Sequence, residues 1–367
     1  MKGASAMKTI GIMSMQRIHN YGSYMQAYGL KQLIGSLGYN VEFVDYEFEK
    51  ELTHKKKENI VSKLLRNKNI LRYAKKKKIV NEFHKRFAEE FIPTLCDKIN
   101  VRPSNIDTLV IGSDEVFNCL QAYPVGYSRE LFGKNYENIP VISYAACFGQ
   151  TTYDRLKDYD ISDEVSNLLK KFKSISVRDD NSYNTVLKLT GIKPTINLDP
   201  VLIYDYEKEN IDNVKIDNYI LIYAYSGRLT TEEEKYIKKF AKKHNKKIVS
   251  LGMYQKIADY NLVVSPFEML AYFKHANYVI TDTFHGSIFS IKTHSKFCTI
   301  VRNNTNGNSN KLVDLLERLH LKDRIVTDVE EIENKYLEGI NYDDTDMILE
   351  VEKQHTMQYL MEVIGNE

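Results

Sequence analysis

Short β-branched runs alternate with amphipathic stretches of helical length along most of the chain. Thr9-Ile10-Gly11-Ile12-Met13 is followed by a helical pattern from Met25 to Leu37 and then by Val41-Glu42-Phe43-Val44, which reads as strand, helix, strand. Further strand-like runs stand at Thr108-Leu109-Val110-Ile111, Val141-Ile142-Ser143-Tyr144, Ser174-Ile175-Ser176-Val177 and Thr195-Ile196-Asn197-Leu198. The acidic, turn-like stretch from Asp205 to Asp217 interrupts this series. It starts again with Tyr219-Ile220-Leu221-Ile222-Tyr223, an amphipathic helix from Thr231 to His244, Lys247-Ile248-Val249-Ser250, Tyr278-Val279-Ile280, a helix from about Gly286, and Phe297-Cys298-Thr299-Ile300. Alternation of this kind predicts two α/β domains with mostly parallel sheets, whose ligands gather beyond the carboxyl ends of the strands. The expected boundaries are 7–205 and 216–340, with a terminal helix over 343–365.

Length supports the division, because 367 residues exceed what one core usually organises. Hydrophobic residues at 43% and charged residues at 27% exclude a disordered or fibrous chain. No apolar run has the length of a membrane span, and Met1 to Met7 lack a signal-like stretch, so a cytoplasmic protein is expected; Met7-Lys8-Thr9 begins the first apolar strand, so residues 1 to 6 read as a leader. Cys96, Cys119, Cys147 and Cys298 are scattered without a CxxC pair, which predicts reduced thiols and no metal site. The net charge of +2 hides an asymmetry. Residues 53–86 hold ten Lys and three Arg against Glu58 and Glu82, while Asp328 to Glu367 hold twelve acids against Lys335 and Lys353.

Four segments carry candidate chemistry. In Ile280-Thr281-Asp282-Thr283-Phe284-His285-Gly286-Ser287 a strand runs through a polar turn into an apolar helix. A helix N-terminus there favours an anion; His285 could move a proton, Gly286 could admit a ligand to the backbone, and Ser287 could donate a hydroxyl. The simpler alternative is that Asp282 or Thr283 caps the helix and His285 fills a notch. Asn20-Tyr21-Gly22-Ser23 occupies a strand-to-helix crevice, as a binding loop or a capped turn, and lacks a dinucleotide fingerprint. Gly112-Ser113-Asp114-Glu115-Val116-Phe117-Asn118 sets small and acidic groups at a strand end, where sugar hydroxyls could bind or a helix could be capped. Arg178 follows a strand directly and would suit a carboxylate or phosphate, or else pair with Asp179 or Asp180.

Taken in order, Asn20-Tyr21-Gly22 with Gln26-Ala27-Tyr28, Ile111 to Asn118, Ser143-Tyr144-Ala145-Ala146-Cys147-Phe148-Gly149, Ser176-Val177-Arg178, Leu198-Asp199-Pro200 and Ile280 to Gly286 resemble the polysaccharide pyruvyl transferase family. The resemblance implies a GT-B-like fold, two Rossmann-like domains facing across a cleft. It also implies transfer of pyruvate from phosphoenolpyruvate, a co-substrate, onto two hydroxyls of a sugar as a cyclic ketal, with no cofactor and no metal. His285 matches the family's catalytic histidine, and Arg178 an arginine resembling a donor ligand. The acceptor, a sugar or lipid-linked oligosaccharide, would meet Asn20, Tyr21, Gly22, Ser113, Asp114 and Asn118 in the first domain. Characterised branches carry an arginine two positions before the histidine, where this chain has Thr283; either donor binding falls to Lys292, Arg302 or the helix amides, with Gly286 and Ser287 beside them and Asp282 and Thr283 in support, or the donor differs.

Two other readings stay open. A glycosyltransferase of the same fold would bind a nucleotide sugar in the second domain. A non-enzymatic scaffold would use the basic segment as an arm. In residues 53–86, Ile60, Val61, Leu64, Leu65, Leu71, Ile79, Val80 and Phe83 recur at helical spacings among the bases, predicting a basic amphipathic helical insertion of the first domain over 53–90. It either packs its apolar stripe on that domain or lies on an anionic inner leaflet. No nucleic-acid partner is expected.

Overall fold

The apolar runs become two sheets of six strands each, and every pairing between named strands is parallel. A computed structural model describes residues 7–53, 70–96, 103, 105–209, 212–302 and 308–365. The first sheet contains β1 (Thr9–Met13), β2 (Asn40–Phe43), β3 (Thr108–Asp114), β4 (Val141–Ala146), β5 (Ser176–Val177) and β6 (Thr195–Ile196), in the order β2-β1-β3-β4-β5-β6. The second contains β7 (Tyr219–Tyr223), β8 (Lys247–Leu251), β9 (Tyr260–Leu262), β10 (Tyr278–Thr281), β11 (Phe297–Ile300) and β12 (Ile325–Val326), in the order β12-β11-β10-β7-β8-β9. Strands β3, β4, β7, β10 and β11 are buried along their whole length, as helices on both faces of a parallel sheet require.

Two compact units contain these sheets. Among the described residues, the first takes those up to Thr53, Ile92–Tyr204 and those from Met347 onward; the second takes Ile70–Phe91 and Asp205–Asp346. Two allotments differ from the sequence expectation. The basic helix Ile70–Arg86 belongs with the second unit, where Arg86 Nη1 donates to the Val263 carbonyl. The C-terminal helix Asp343–Gly365 joins the first unit from Met347, because Tyr359 donates its hydroxyl to the Ser143 carbonyl (2.8 Å) and Thr356 meets the Tyr144 hydroxyl at 3.2 Å.

In the first core Phe117 stacks on Phe132, with ring centroids 5.0 Å apart, and lies tilted against Phe148 at 5.2 Å. The second packs Phe240 and Tyr278 beside Ile220, Ile222 and Ile280. All four cysteines are free thiols; Cys119 and Cys147 are buried in the first unit, Cys298 is buried in β11, and Cys96 is half-buried. Burial pushes the Cys119 thiol far up, and it pushes the Cys298 thiol up to about 12. Of the basic segment, residues 54–69, with Ile60, Val61, Leu64 and Leu65, lie outside the described residues. The described part buries Phe83 and leaves Ile70, Leu71 and Tyr73 exposed beside Lys75, Lys76, Lys77 and Lys78, so its apolar stripe is only partly packed.

Candidate functional site

In each sheet the strand order reverses once, between β1 and β3 in the first unit and between β7 and β10 in the second. Helices leave such neighbouring strands on opposite faces, so the loops at their carboxyl ends part and leave a crevice. The segments after β1, β3 and β10 fall at these two places, and Arg178, which follows β5, reaches the first of them through its side chain.

In the first unit a buried polar network ties the loops together. Asn20 caps the helix Tyr21–Ser36, its Oδ1 accepting from the Gly22 amide (2.7 Å) and the Ser23 amide (3.3 Å). Tyr21 and Gly22 are buried, so this segment serves as a capped turn, with Asn20 and the Gly22 amide engaged inside the protein. Ser23 donates its hydroxyl to Asp114 Oδ2 (2.8 Å), and Asp114 stands at φ 72°, a left-handed conformation that Asp tolerates better than most residues. Gln26 donates to the Ser14 hydroxyl and accepts from the Ser113 hydroxyl, both at 2.9 Å.

Arg178 is almost wholly enclosed and donates to Asp199 Oδ2 (2.8 Å) and Asp114 Oδ1 (3.2 Å). Burial opposes its charge, but the surrounding Cys147, Asp114, Asp199 and Asp179 prevail and hold the guanidinium protonated well beyond its usual range. Its ion pairs therefore run to Asp114 and Asp199, not to the adjacent Asp179 or Asp180. Asp179 caps the helix Asp180–Thr190 and accepts from the Cys147 thiol. Asn118 is turned inward, donating to Glu115 (2.6 Å) and accepting from the Thr151 hydroxyl (2.8 Å), which holds the loop rather than presenting an amide. Among the expected acceptor residues Asp114 is the one bonded to both Ser23 and Arg178, with its side chain 11% exposed.

In the second unit β10 ends in a turn built from hydroxyls. Thr283 caps the helix Phe284–Lys292 by accepting from the Gly286 amide (2.9 Å), and its own amide donates to Thr281 Oγ1 (3.1 Å). Gly286 is required by packing. A Cβ there would collide with Thr281 Oγ1 and lie 2.7 Å from Thr283 Oγ1, so the glycine admits the turn's own side chains. Ser287 is likewise spent internally, on the Thr283 carbonyl (3.2 Å) and the Thr299 hydroxyl (2.8 Å). His285 is only half-buried, stacked on Phe289 with centroids 6.0 Å apart and edged by Phe284 at 5.6 Å. Its imidazole sits in the first helical turn, where the dipole favours an anion.

The expected cations divide. Lys292 lies in the last turn of this helix, about 10 Å along the axis from His285 at 1.5 Å per residue, and is not gathered at the N-terminus. Arg302 is close but committed: Nη1 donates to Asp282 Oδ2 (2.7 Å), while Nε and Nη2 form a fork on Glu233 (3.1 and 2.8 Å). Burial opposes its charge, yet the hydrogen bonds to Glu233 and Asp282 raise its proton affinity. Glu233 also completes the capping box of the helix Thr231–Lys243 with Thr230. Asp282 pairs with Arg302 and also with Arg228, whose Nε lies 3.3 Å from Oδ2. Ser23, Gln26, Asp199, Arg228 and Glu233 were not among the expected site residues. Asp199-Pro200 after a strand and Thr230-x-x-Glu233 were readable signals of caps; nothing in the sequence pairs Arg302 with Glu233. Among the described residues no group of three or more His, Cys, Asp or Glu could hold a metal ion, and no helix is long and apolar enough to cross a membrane.

A family model described as polysaccharide pyruvyl transferase matches residues 20–304, which takes in both crevices. No curated protein sequence matches the chain. Among solved structures, the glycotransferase of kitacinnamycin is 10% identical, with a TM-score of 0.50, coverage of 98% of this chain and 99% of that one. Arabidopsis thaliana UGT89C1, complexed with UDP-L-rhamnose, is 9% identical, with a TM-score of 0.49 and coverage of 98% and 100%. Thermobaculum terrenum O-GlcNAc transferase is 10% identical at a TM-score of 0.42, and the chain spans 64% of its length. At 10% identity the likeness to the kitacinnamycin glycotransferase concerns fold alone, two Rossmann-like units of the GT-B class.

Proposed function

Because the chain belongs to the polysaccharide pyruvyl transferase family, we propose that it moves pyruvate from phosphoenolpyruvate onto two hydroxyls of one sugar, forming a cyclic ketal in a surface polysaccharide or its lipid-linked precursor. The observation that carries this reading is that the family match includes the turn bearing His285, a half-buried imidazole in the first turn of a helix. The reaction needs a proton at the methylene carbon, which makes C2 an oxocarbenium centre. One sugar hydroxyl adds there and loses its proton, phosphate departs with a proton, and the second hydroxyl closes the ring and loses its own. His285 is proposed as the proton carrier, the helix amides as part of the anion site, and Asp114 as an acceptor for sugar hydroxyls. Arg178, enclosed between Asp114 and Asp199, is assigned the positioning of that carboxylate rather than direct contact with the donor.

Phosphate release from phosphoenolpyruvate across a panel of acceptor glycans tests this, with the product expected to gain a carboxyethylidene group. Nucleotide-sugar turnover without phosphate release from phosphoenolpyruvate would replace it with glycosyl transfer. A cytoplasmic location, peripheral on an anionic inner leaflet, is the companion proposal. Its support is the helix Ile70–Arg86, with exposed Ile70, Leu71 and Tyr73 beside four consecutive lysines. Salt-sensitive sedimentation with phosphatidylglycerol vesicles, reduced when Lys75, Lys76, Lys77 and Lys78 become Gln, is the expected result; wild type that stays in the supernatant at low salt removes it.

A further inference from the structure

The crevice between β7 and β10 has two loops at its mouth, the turn that bears His285 and the segment that follows β7. After β7, Tyr225-Ser226-Gly227-Arg228 forms a turn closed by the Arg228 amide on the Tyr225 carbonyl at 3.1 Å. Gly227, third in that turn, stands at φ 81°, and a Cβ there would meet nothing within 4 Å; the glycine is needed for backbone conformation alone. The turn brings the Arg228 guanidinium back over the Tyr225 ring, 5.2 Å from its centroid, and sets Nε 3.3 Å from Asp282 Oδ2. The Asp282 side chain is 1% exposed and that of Arg228 is 34% exposed. One end of Arg228 is therefore anchored to an enclosed carboxylate three residues before His285, and the rest reaches solvent.

Arg302 offers the contrast. It touches the same Asp282 oxygen, but its other nitrogens are held by Glu233. With Glu233 offsetting Arg302, Arg228 is the cation that Asp282 orients without consuming, and among the described residues Asp282 is its only charged partner. Resting on the pyruvyl transfer reading, we infer that Arg228 is the donor-binding cation of the second unit: it takes the phosphate oxygens of phosphoenolpyruvate at the mouth of the β7–β10 crevice, beside His285. A planar guanidinium fixed through Nε leaves its two terminal nitrogens to fork onto a phosphate, which a lysine there could not do.

Calorimetric titration of phosphoenolpyruvate into the full-length protein tests the assignment. Arg228→Gln is expected to weaken binding at least roughly tenfold, the scale of one charged hydrogen bond, with an unchanged unfolding midpoint and acceptor KM, and Arg228→Lys to fall between. Wild type is also to be treated with phenylglyoxal, where phosphoenolpyruvate should protect Arg228 from modification; this arm needs no variant to fold. Tight binding by wild type, with equal affinity in Arg228→Gln or no protection of Arg228, overturns the inference and leaves the pyruvyl reading standing. Wild type that binds no phosphoenolpyruvate overturns both.

Discussion

Arg178→Met keeps the length of the side chain and removes its charge, and its effect should be on stability before it is on binding. Arg178 is 1% exposed, Asp199 0% and Asp114 11%. The substitution leaves two carboxylates in a nearly closed site, with the Val201 amide still on Asp199 and the Ser23 hydroxyl still on Asp114. Breaking a buried pair by removing one partner costs about 3–5 kcal/mol, against a total unfolding free energy of about 5–15 kcal/mol for a domain. At roughly 2 kcal/mol per molar urea, the first unit's midpoint should fall by about 2 M. Unfolding is to be followed by far-UV circular dichroism and tyrosine fluorescence, since the chain has 26 Tyr and no Trp. Adding Asp199→Asn in the same chain removes one stranded charge and should recover at least about 1 kcal/mol, a coupling that only touching groups show. A midpoint within about 0.5 kcal/mol of wild type, the scale of an ordinary surface substitution, together with a collapse in phosphoenolpyruvate affinity, would refute the reasoning and make Arg178 a ligand.

Other outcomes follow from the second unit. His285→Ala should fold normally and lose transfer by at least roughly 100-fold, the usual scale for a general acid or base; near-wild-type turnover removes it from the chemistry. Gly286→Ala should cost about 1–3 kcal/mol by overpacking against Thr281 and Thr283, read as a lowered midpoint, with unchanged stability arguing against the tight turn. Lys243 first, then His244, holds the Glu333 carboxyl below the ordinary glutamate range. Its depressed folded-state value makes the stabilisation present above the unfolded carboxylate's titration and lost as pH falls through the folded one. Carboxyl NMR should find that low midpoint, and Lys243→Met should raise it; a midpoint unmoved by the substitution contradicts the assignment.

The strands were legible because burial on both faces demands continuous β-branched runs, as in Tyr219-Ile220-Leu221-Ile222-Tyr223. The three-residue β9 and two-residue β12 are edge strands too short to leave such a run. His285 on a helix N-terminus was readable from Asp282-Thr283 before an apolar stretch, since capping is local. What Arg178 and Arg302 bond to was not. Their partners lie 64, 69 and 20 or 21 residues away and are chosen by strand order, which no local spacing encodes. Gly286 and Ser287 looked like ligand groups for the same reason: small and hydroxyl side chains suit a ligand and a tight turn equally, and only the third dimension separates the two.

The buried thiols make the protein its own clock. Cys119 and Cys147 sit in the first unit and Cys298 in the second. With the thiols of Cys119 and Cys298 pushed up by burial, alkylation by a neutral-pH reagent has to wait for a local opening that admits water and reagent together. Where reclosing outruns the chemistry, the labelling rate at each site reports the free energy of that opening, with a tenfold change in rate for every 1.4 kcal/mol or so. Mass spectrometry of the three peptides then gives separate breathing rates for the two units, and a ligand that binds one unit should slow the labelling of its cysteines while the others keep their pace.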